Sequence, residues 1–214
     1  MASTVTPIVP GSADLSSRNN RLAVPFVGSS SADRASRSGI WVVIFAITMS
    51  FAAFTSALFV RQGTPDWAHL VMPSVLYLNT LFLLASSITL EISRRSLTAA
   101  TIIESDHARR AKIWLLATFV LGTAFCVGQY MAWQQLRAAG FYLATNPNSS
   151  FFYVLTFIHV LHVLVGVAAI VYLLGRLMAS QSTFRRSLFE NTAVYWHFIG
   201  VLWVYLFLLC LVKL

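Results

Sequence analysis

Charge is what this chain has least of. Asp, Glu, Lys and Arg make up 10% of its 214 residues, against 57% hydrophobic, whereas a soluble domain carries about 25% charged residues. With a mean hydropathy of +0.73, that excludes a water-soluble globular domain. Short alternating polar and apolar runs are missing as well, which excludes a membrane β-barrel and leaves helices to satisfy the backbone in lipid. No Asp or Glu falls in the middle of an apolar run; Glu91 and Glu190 sit at run ends. Pumps and transporters carry intramembrane carboxylates, so their absence argues against ion or proton transport. So does the lack of an inverted repeat, because five apolar runs do not divide into equal halves. Cysteine is scarce too: Cys126 and Cys210 are the two present. Their depths differ by several ångströms at about 1.5 Å per residue, so they read as packing thiols and not as a disulfide.

What the chain does have is long apolar runs, at 40–60, 71–92, 113–134, 151–174 and 192–212. Each reaches the ~20 residues a helix needs to cross about 30 Å of hydrocarbon. The expected fold is all-α, an integral membrane bundle of five transmembrane helices within residues 40–214. Residues 1–39 are rich in Ser, Ala and Arg and lack the apolar core of a signal peptide. They read as a flexible cytoplasmic tail with a short ordered stretch at 22–27. The net charge of +8 does not call for a nucleic-acid partner, because it is not clustered for one. Of the 15 Lys and Arg residues, all but Arg61, Arg137 and Lys213 lie in the tail and in the second and fourth connections. By the positive-inside rule the N-terminus is cytoplasmic and the C-terminus outside, with the basic side in contact with anionic lipid heads.

Polar residues inside a membrane are costly and mark an interior face. In the second span Asn79, Thr80, Ser86 and Ser87 read as helix-packing groups, worth about 0.5–2 kcal/mol per interhelical hydrogen bond. At the start of the fourth span, Ser149 or Ser150 is the expected N-cap. Asn148-Ser149-Ser150 also matches a glycosylation sequon. His159 and His162, three residues apart, share a helix face, and His197 opens the fifth span. By depth, His162 and His197 face a shared interhelical cleft.

Three chemistries compete for these histidines. A haem needs axial histidines on facing helices. One such pair is available on paper, but two stacked haems need about four, and His69 and His107 lie in or near loops. Zinc or copper would need a converging set with carboxylate or thiolate help, for which Cys126 and Glu190 are poorly placed. The missing carboxylates favour architecture: neutral histidines fastened across helices or to lipid phosphates, in a scaffold within a larger complex.

The stretch Tyr195-Trp196-His197-Phe198-Ile199-Gly200-Val201-Leu202-Trp203 closely resembles the final helix of cytochrome c oxidase subunit III, which often reads Tyr-Trp-His-Phe-Val-Asp-Val-Val-Trp after a glutamate matched here by Glu190. Ser150-Phe151-Phe152-Tyr153 through Thr156, His159, His162 and Gly166 resembles the family's preceding helix. Pro73, Asn79-Thr80 and Ser86-Ser87 resemble an earlier one. The resemblance implies a non-catalytic subunit of a respiratory haem-copper oxidase, which passes electrons from cytochrome c to oxygen and translocates protons. It implies the five-helix form, which lacks the first two of seven helices. It implies no redox cofactor in this chain, with haem and copper in partner subunits, and phospholipid bound in a cleft between helix groups. The implied partners are oxidase subunit I directly, then subunit II, small subunits or a respiratory supercomplex. The implied place is the bacterial cytoplasmic (inner) membrane. Structural or lipid-binding candidates are His159, His162, Glu190, Tyr195, Trp196 and His197. The chain departs from the family at Phe157 and Val160, which replace glycines, and at Gly200, where an aspartate is common. Ile47 replaces a buried glutamate and Ala132 an acidic residue, so roles of those acids do not transfer. Two alternatives stand beside this: the related subunit of a quinol oxidase or nitric oxide reductase complex, and, from another class, a haem-bearing cytochrome b-like protein.

Overall fold

The structure, a computed structural model, describes residues 31–62, 72–100, 105–143, 146–179 and 186–213. They form five helices: α1 (Ser31–Arg61), α2 (Val75–Ala100), α3 (Ser105–Ala138), α4 (Pro147–Met178) and α5 (Arg186–Lys213). All five are long and apolar enough to cross a membrane. The shortest has 26 residues and the longest 34, or about 39–51 Å at 1.5 Å per residue, so each overruns the hydrocarbon. That is why the helices are longer than the apolar runs: hydrogen bonding continues into polar turns that hydropathy alone does not mark. α1 begins at Ser31, inside the stretch read as a tail, while the expected ordered stretch at 22–27 lies outside the described residues.

Local chemistry sets several ends. α3 closes in a Schellman turn: Gly140 has φ +86°, its N–H reaches the Arg137 carbonyl and the Phe141 N–H reaches the Leu136 carbonyl, both at 3.0 Å. Glycine takes this left-handed position without the clash a Cβ would bring. α4 starts one turn earlier than the serine-cap expectation. Asn146 is the extended N-cap, without a side-chain cap bond, and Pro147 follows it, where a missing N–H costs nothing. Ser149 and Ser150 therefore fall inside the first turn. The Ser149 hydroxyl donates to the Tyr142 carbonyl at 2.8 Å, and the Ser150 hydroxyl donates to that of Leu143. Asn148 is fully buried, so the sequon is not presented to a glycosylating enzyme.

From Ala35 onward the chain packs as one unit. α2 neighbours α3 and α5, and α4 neighbours the same two, so α2–α5 close into a four-membered ring. Side-chain pairs give the directions. Trp196 meets Ser86 while Trp203 meets Thr80, so α2 and α5 run antiparallel. Arg37 meets Glu190 and Phe59 meets Lys213, so α1 and α5 run parallel. α1 lies outside the ring and buries one stripe, Ile47, Phe51, Thr55 and Leu58, at the i, i+4, i+8, i+11 spacing of a helix face. Its other faces, with Trp41, Phe45, Met49 and Val60, are exposed. The ring interior is mostly apolar but also encloses Asn79, Ser86, Thr118, Gln129, Thr156 and His159, while Leu, Val and Phe cover much of the outside.

Candidate functional site

The ring's interior is organised by two indoles on α5. Trp196 is 1% exposed and enters between the backbones of α3 and α4. A Cβ added at Gly122 would stand 2.7 Å from the ring, and one at Gly166 would stand 2.8 Å from it. These glycines are there because nothing larger leaves room for the indole. Its Nε1–H donates to the Ser86 hydroxyl on α2 at 3.1 Å, and that hydroxyl donates to the Leu83 carbonyl at 2.7 Å. One side chain thus touches all four ring helices. Two turns further along, Trp203 repeats the arrangement: its Nε1–H donates to the Thr80 hydroxyl at 3.0 Å, which donates to the Leu76 carbonyl at 2.9 Å. A hydroxyl that both accepts and donates leaves no buried polar atom unsatisfied in lipid.

His159 sits next to this pair. It is fully buried, with its ring 5.1 Å from Trp203 at 34° and 5.8 Å from Phe125 at 80°. Phe125 in turn stands edge-on to Trp203 at 4.8 Å. These are the spacings of favourable aromatic packing, and they link α3, α4 and α5. Among the described residues neither ring nitrogen of His159 has a hydrogen-bond partner. Nearby, Asn79 Nδ2 donates to Gln129 Oε1 at 3.4 Å, and the Asn79 amide packs against Gly128, which joins α2 to α3.

The other candidates are placed apart from one another. His162 turns toward α1, with its ring 5.9 Å from Phe51 and its Nδ1 2.7 Å from the Ile158 carbonyl of its own helix. Its carbonyl accepts from the Tyr195 hydroxyl at 3.0 Å, so Tyr195 ties α5 to α4. His197 faces α2, lining a groove of about 390 Å³ with Ser87, Glu91 and Arg95. The expected cleft between His162 and His197 is therefore not formed: the His162 ring lies against Phe51 of α1, whereas His197 lines a groove with residues of α2. Nor do His159 and His162 act as a pair, since one points into the ring and the other out of it.

At the same end as His197, Glu91 receives Arg94 through two bonds of 2.8 Å and Arg95 through one of 2.9 Å. Glu190 receives Arg37 of α1 at 3.0 Å. Among the described residues no three His, Cys, Asp or Glu side chains converge. Cys126 and Cys210 are free thiols.

Several of these roles have no sequence signal. Phe125 looks like any apolar residue of a span, and the Arg37–Glu190 pair is 153 positions apart. Gly122 and Gly166 do show as small residues, but their indole partner does not. Thr89 and Thr118, with hydroxyls 2.9 Å apart, and Ser93, which donates to the Ala111 carbonyl at 2.8 Å, extend the α2–α3 polar seam.

The family model for cytochrome c oxidase subunit III matches residues 34–212. The chain is similar to cytochrome c oxidase subunit 3 of Alkalihalophilus pseudofirmus, 33% identical over 175 residues, which covers 79% of this chain and 82% of that one. The corresponding protein of Synechocystis is 33% identical over 180 residues, or 78% of this chain and 72% of that one. That of Paracentrotus lividus is 37% identical over 131 residues, or 61% of this chain and 47% of that one.

Proposed function

We propose that this chain, which belongs to the cytochrome c oxidase subunit III family, serves its haem-copper oxidase as a rigid membrane scaffold that docks on the catalytic subunit I and fixes phospholipid beside it. The match over residues 34–212 carries the reading. The geometry supports a scaffold because the histidines are dispersed: His159 into the ring, His162 toward α1, His197 toward α2. A ligand set must converge on one point, whereas packing groups do best when each joins a different pair of helices.

In this reading Trp196, Tyr195 and His159 hold α5 against the rest of the ring. Asn79, Thr80, Ser86 and Ser87 supply the polar edge of α2. His162 and Glu190 seat α1, and His197 with the Glu91 arginines faces lipid headgroups. Haem and copper reside in the partner subunits, and subunit II, small subunits or a supercomplex complete the assembly. The twelve basic residues gathered on one side support an N-terminus in the cytoplasm of a bacterium and a C-terminus beyond its inner membrane.

The test uses the whole oxidase purified in mild detergent, with His159→Ala and His197→Ala compared with wild type. The expected outcome is less phospholipid per complex and activity that decays over fewer turnovers, with haem content unchanged. Normal assembly, lipid content and sustained activity in both variants would overturn the scaffold roles of these residues. A haem Soret band in the isolated chain would overturn the reading as a whole.

A further inference from the structure

The polar seam between α2 and α3 has one joint that does not close. Asn79 and Gln129 are both fully buried, and each primary amide carries an acceptor oxygen and a donor nitrogen. Two such amides can meet head to head through two parallel hydrogen bonds. Here they share one, from Asn79 Nδ2 to Gln129 Oε1 at 3.4 Å, longer than the usual ~2.9–3.0 Å. Asn79 Oδ1 and Gln129 Nε2 are left without partners among the described residues. Exchanging oxygen and nitrogen on both amides does not alter the count: one donor and one acceptor remain over.

The neighbouring hydroxyls are already engaged. Thr80 accepts from Trp203 and donates to the Leu76 carbonyl, and Thr123 donates to the Phe119 carbonyl. Beside the pair there is room. Gly128 has no side chain, and a Cβ there would fall on the Asn79 carboxamide. A groove of about 530 Å³ opens between α2 and α3 and reaches both Asn79 and Gly128. Thr123 apart, its other lining residues are apolar. The joint is also close to one end of the bundle: Asn79 lies about 6 Å from the start of α2 and Gln129 about 14 Å from the end of α3, at 1.5 Å per residue.

We infer that this joint is a water site: a buried water molecule accepts from Gln129 Nε2–H, donates to Asn79 Oδ1 and so completes the second link between α2 and α3. The leftover pair selects that occupant. It must be small, and it must donate and accept at once. Buried waters in proteins characteristically bond about three polar groups that would otherwise lack partners. A metal cation would face the N–H of an amide, and an apolar occupant would leave both atoms unsatisfied in a medium where that is costly. The site rests on the fold of the ring and not on the oxidase reading.

The experiment is X-ray hydroxyl-radical footprinting of the purified oxidase, in which a bound water oxidises the side chains around it and mass spectrometry locates the added oxygen. Leu83 and Phe125 are the reporters: both are buried, and each lies one turn from an amide on the same helix face. Buried Leu173 of α4 is the dry reference. Both reporters are expected to be oxidised severalfold above Leu173. Asn79→Leu combined with Gln129→Leu replaces both amides by apolar groups of similar size and is expected to bring the reporters down to the level of Leu173. Co-purification with the other subunits shows that the double variant has folded, and the wild-type comparison stands without it. His159→Phe, which removes the unpartnered nitrogens of α4, is expected to leave Leu83 unchanged. Reporters no more oxidised than Leu173 in wild type, as amides closing directly on each other would give, overturn the proposal. So does oxidation that survives the double variant, or its loss at Leu83 in His159→Phe.

Discussion

α1 and α5 are both apolar helices of similar length, yet 44% of the spanning window of α5 is buried and only 22% of that of α1. α5 belongs to a closed ring and reaches its neighbours through hydrogen bonds and ring contacts made inside the bundle. α1 rests on the outside and is held by one apolar stripe and by ties along its length: Arg37 to Glu190, Phe51 to His162, Thr55 to Tyr205 and Phe59 to Lys213. Water does not drive helices together in lipid, so association comes from close packing and interhelical hydrogen bonds. The ring has both on every side. α1 packs along one narrow face and adds the hydrogen bonds of Arg37 to Glu190 and of Tyr205 to Thr55. The comparison teaches that hydropathy, nearly the same for the two helices, says nothing about how firmly each is held.

The sharpest way to break the ring is to deny Trp196 its slot. Gly166→Leu would place new atoms where the indole already lies, and Gly122→Leu would do so from the other side. Overpacking costs about 1–3 kcal/mol when neighbours can shift. Here the neighbour is a rigid indole wedged between two backbones, so the expected loss is at or above about 3 kcal/mol. Gly175→Leu is the control on α4, because nothing lies within 4 Å of its added Cβ, and it should change stability by less than about 0.5 kcal/mol. Thermal inactivation of the purified oxidase, followed by loss of this chain from it, measures both. Equal behaviour at Gly166 and Gly175 would remove the keystone role of Trp196.

How far this division was legible in the sequence follows from the range of the interactions. Five spans and an all-helical fold come from local composition, and they are present among the described residues. The close relation of Trp196 and His197 to α2 is not local. His197 and Trp196 are adjacent, yet one lines a surface groove and the other is buried inside the ring, because a helix turns about 100° per residue. His159 and His162, expected on a common face, straddle its edge, so a small rotation of α4 sends one inward and the other to α1. Spacing gives faces to within such an angle and cannot choose the neighbouring helix.

A smaller effect is expected at the α1 tie between Arg37 and Glu190. The Arg37 side chain is 66% exposed, so the pair is worth about 0–1 kcal/mol and is screened by salt. Arg37→Gln should leave the melting of the complex nearly unchanged while raising hydrogen exchange in the first turns of α1, and high salt should give wild type the same behaviour. If exchange instead rises in α5, the pair supports the ring and the contrast between the two helices weakens.

The smallest effect is expected inside the ring itself, from His159→Phe. A buried polar group without partners costs free energy, and an apolar group of the same shape removes that cost. Among the described residues both His159 ring nitrogens are without partners, while the ring faces are packed on Trp203 and Phe125. His159→Phe keeps an aromatic ring there and should therefore be neutral within about 0.5 kcal/mol or slightly stabilising, whereas His159→Ala opens a cavity and should cost about 2 kcal/mol or more. The pair of variants separates two ways a histidine can fasten helices. If Phe behaves like Ala, a hydrogen bond is what matters, and His159 must have a partner in the assembled oxidase that this chain does not supply. If Phe behaves like His, the ring face does the fastening, and the ring of helices is held at its centre by shape, with its hydrogen bonds confined to the indoles and the α2 edge.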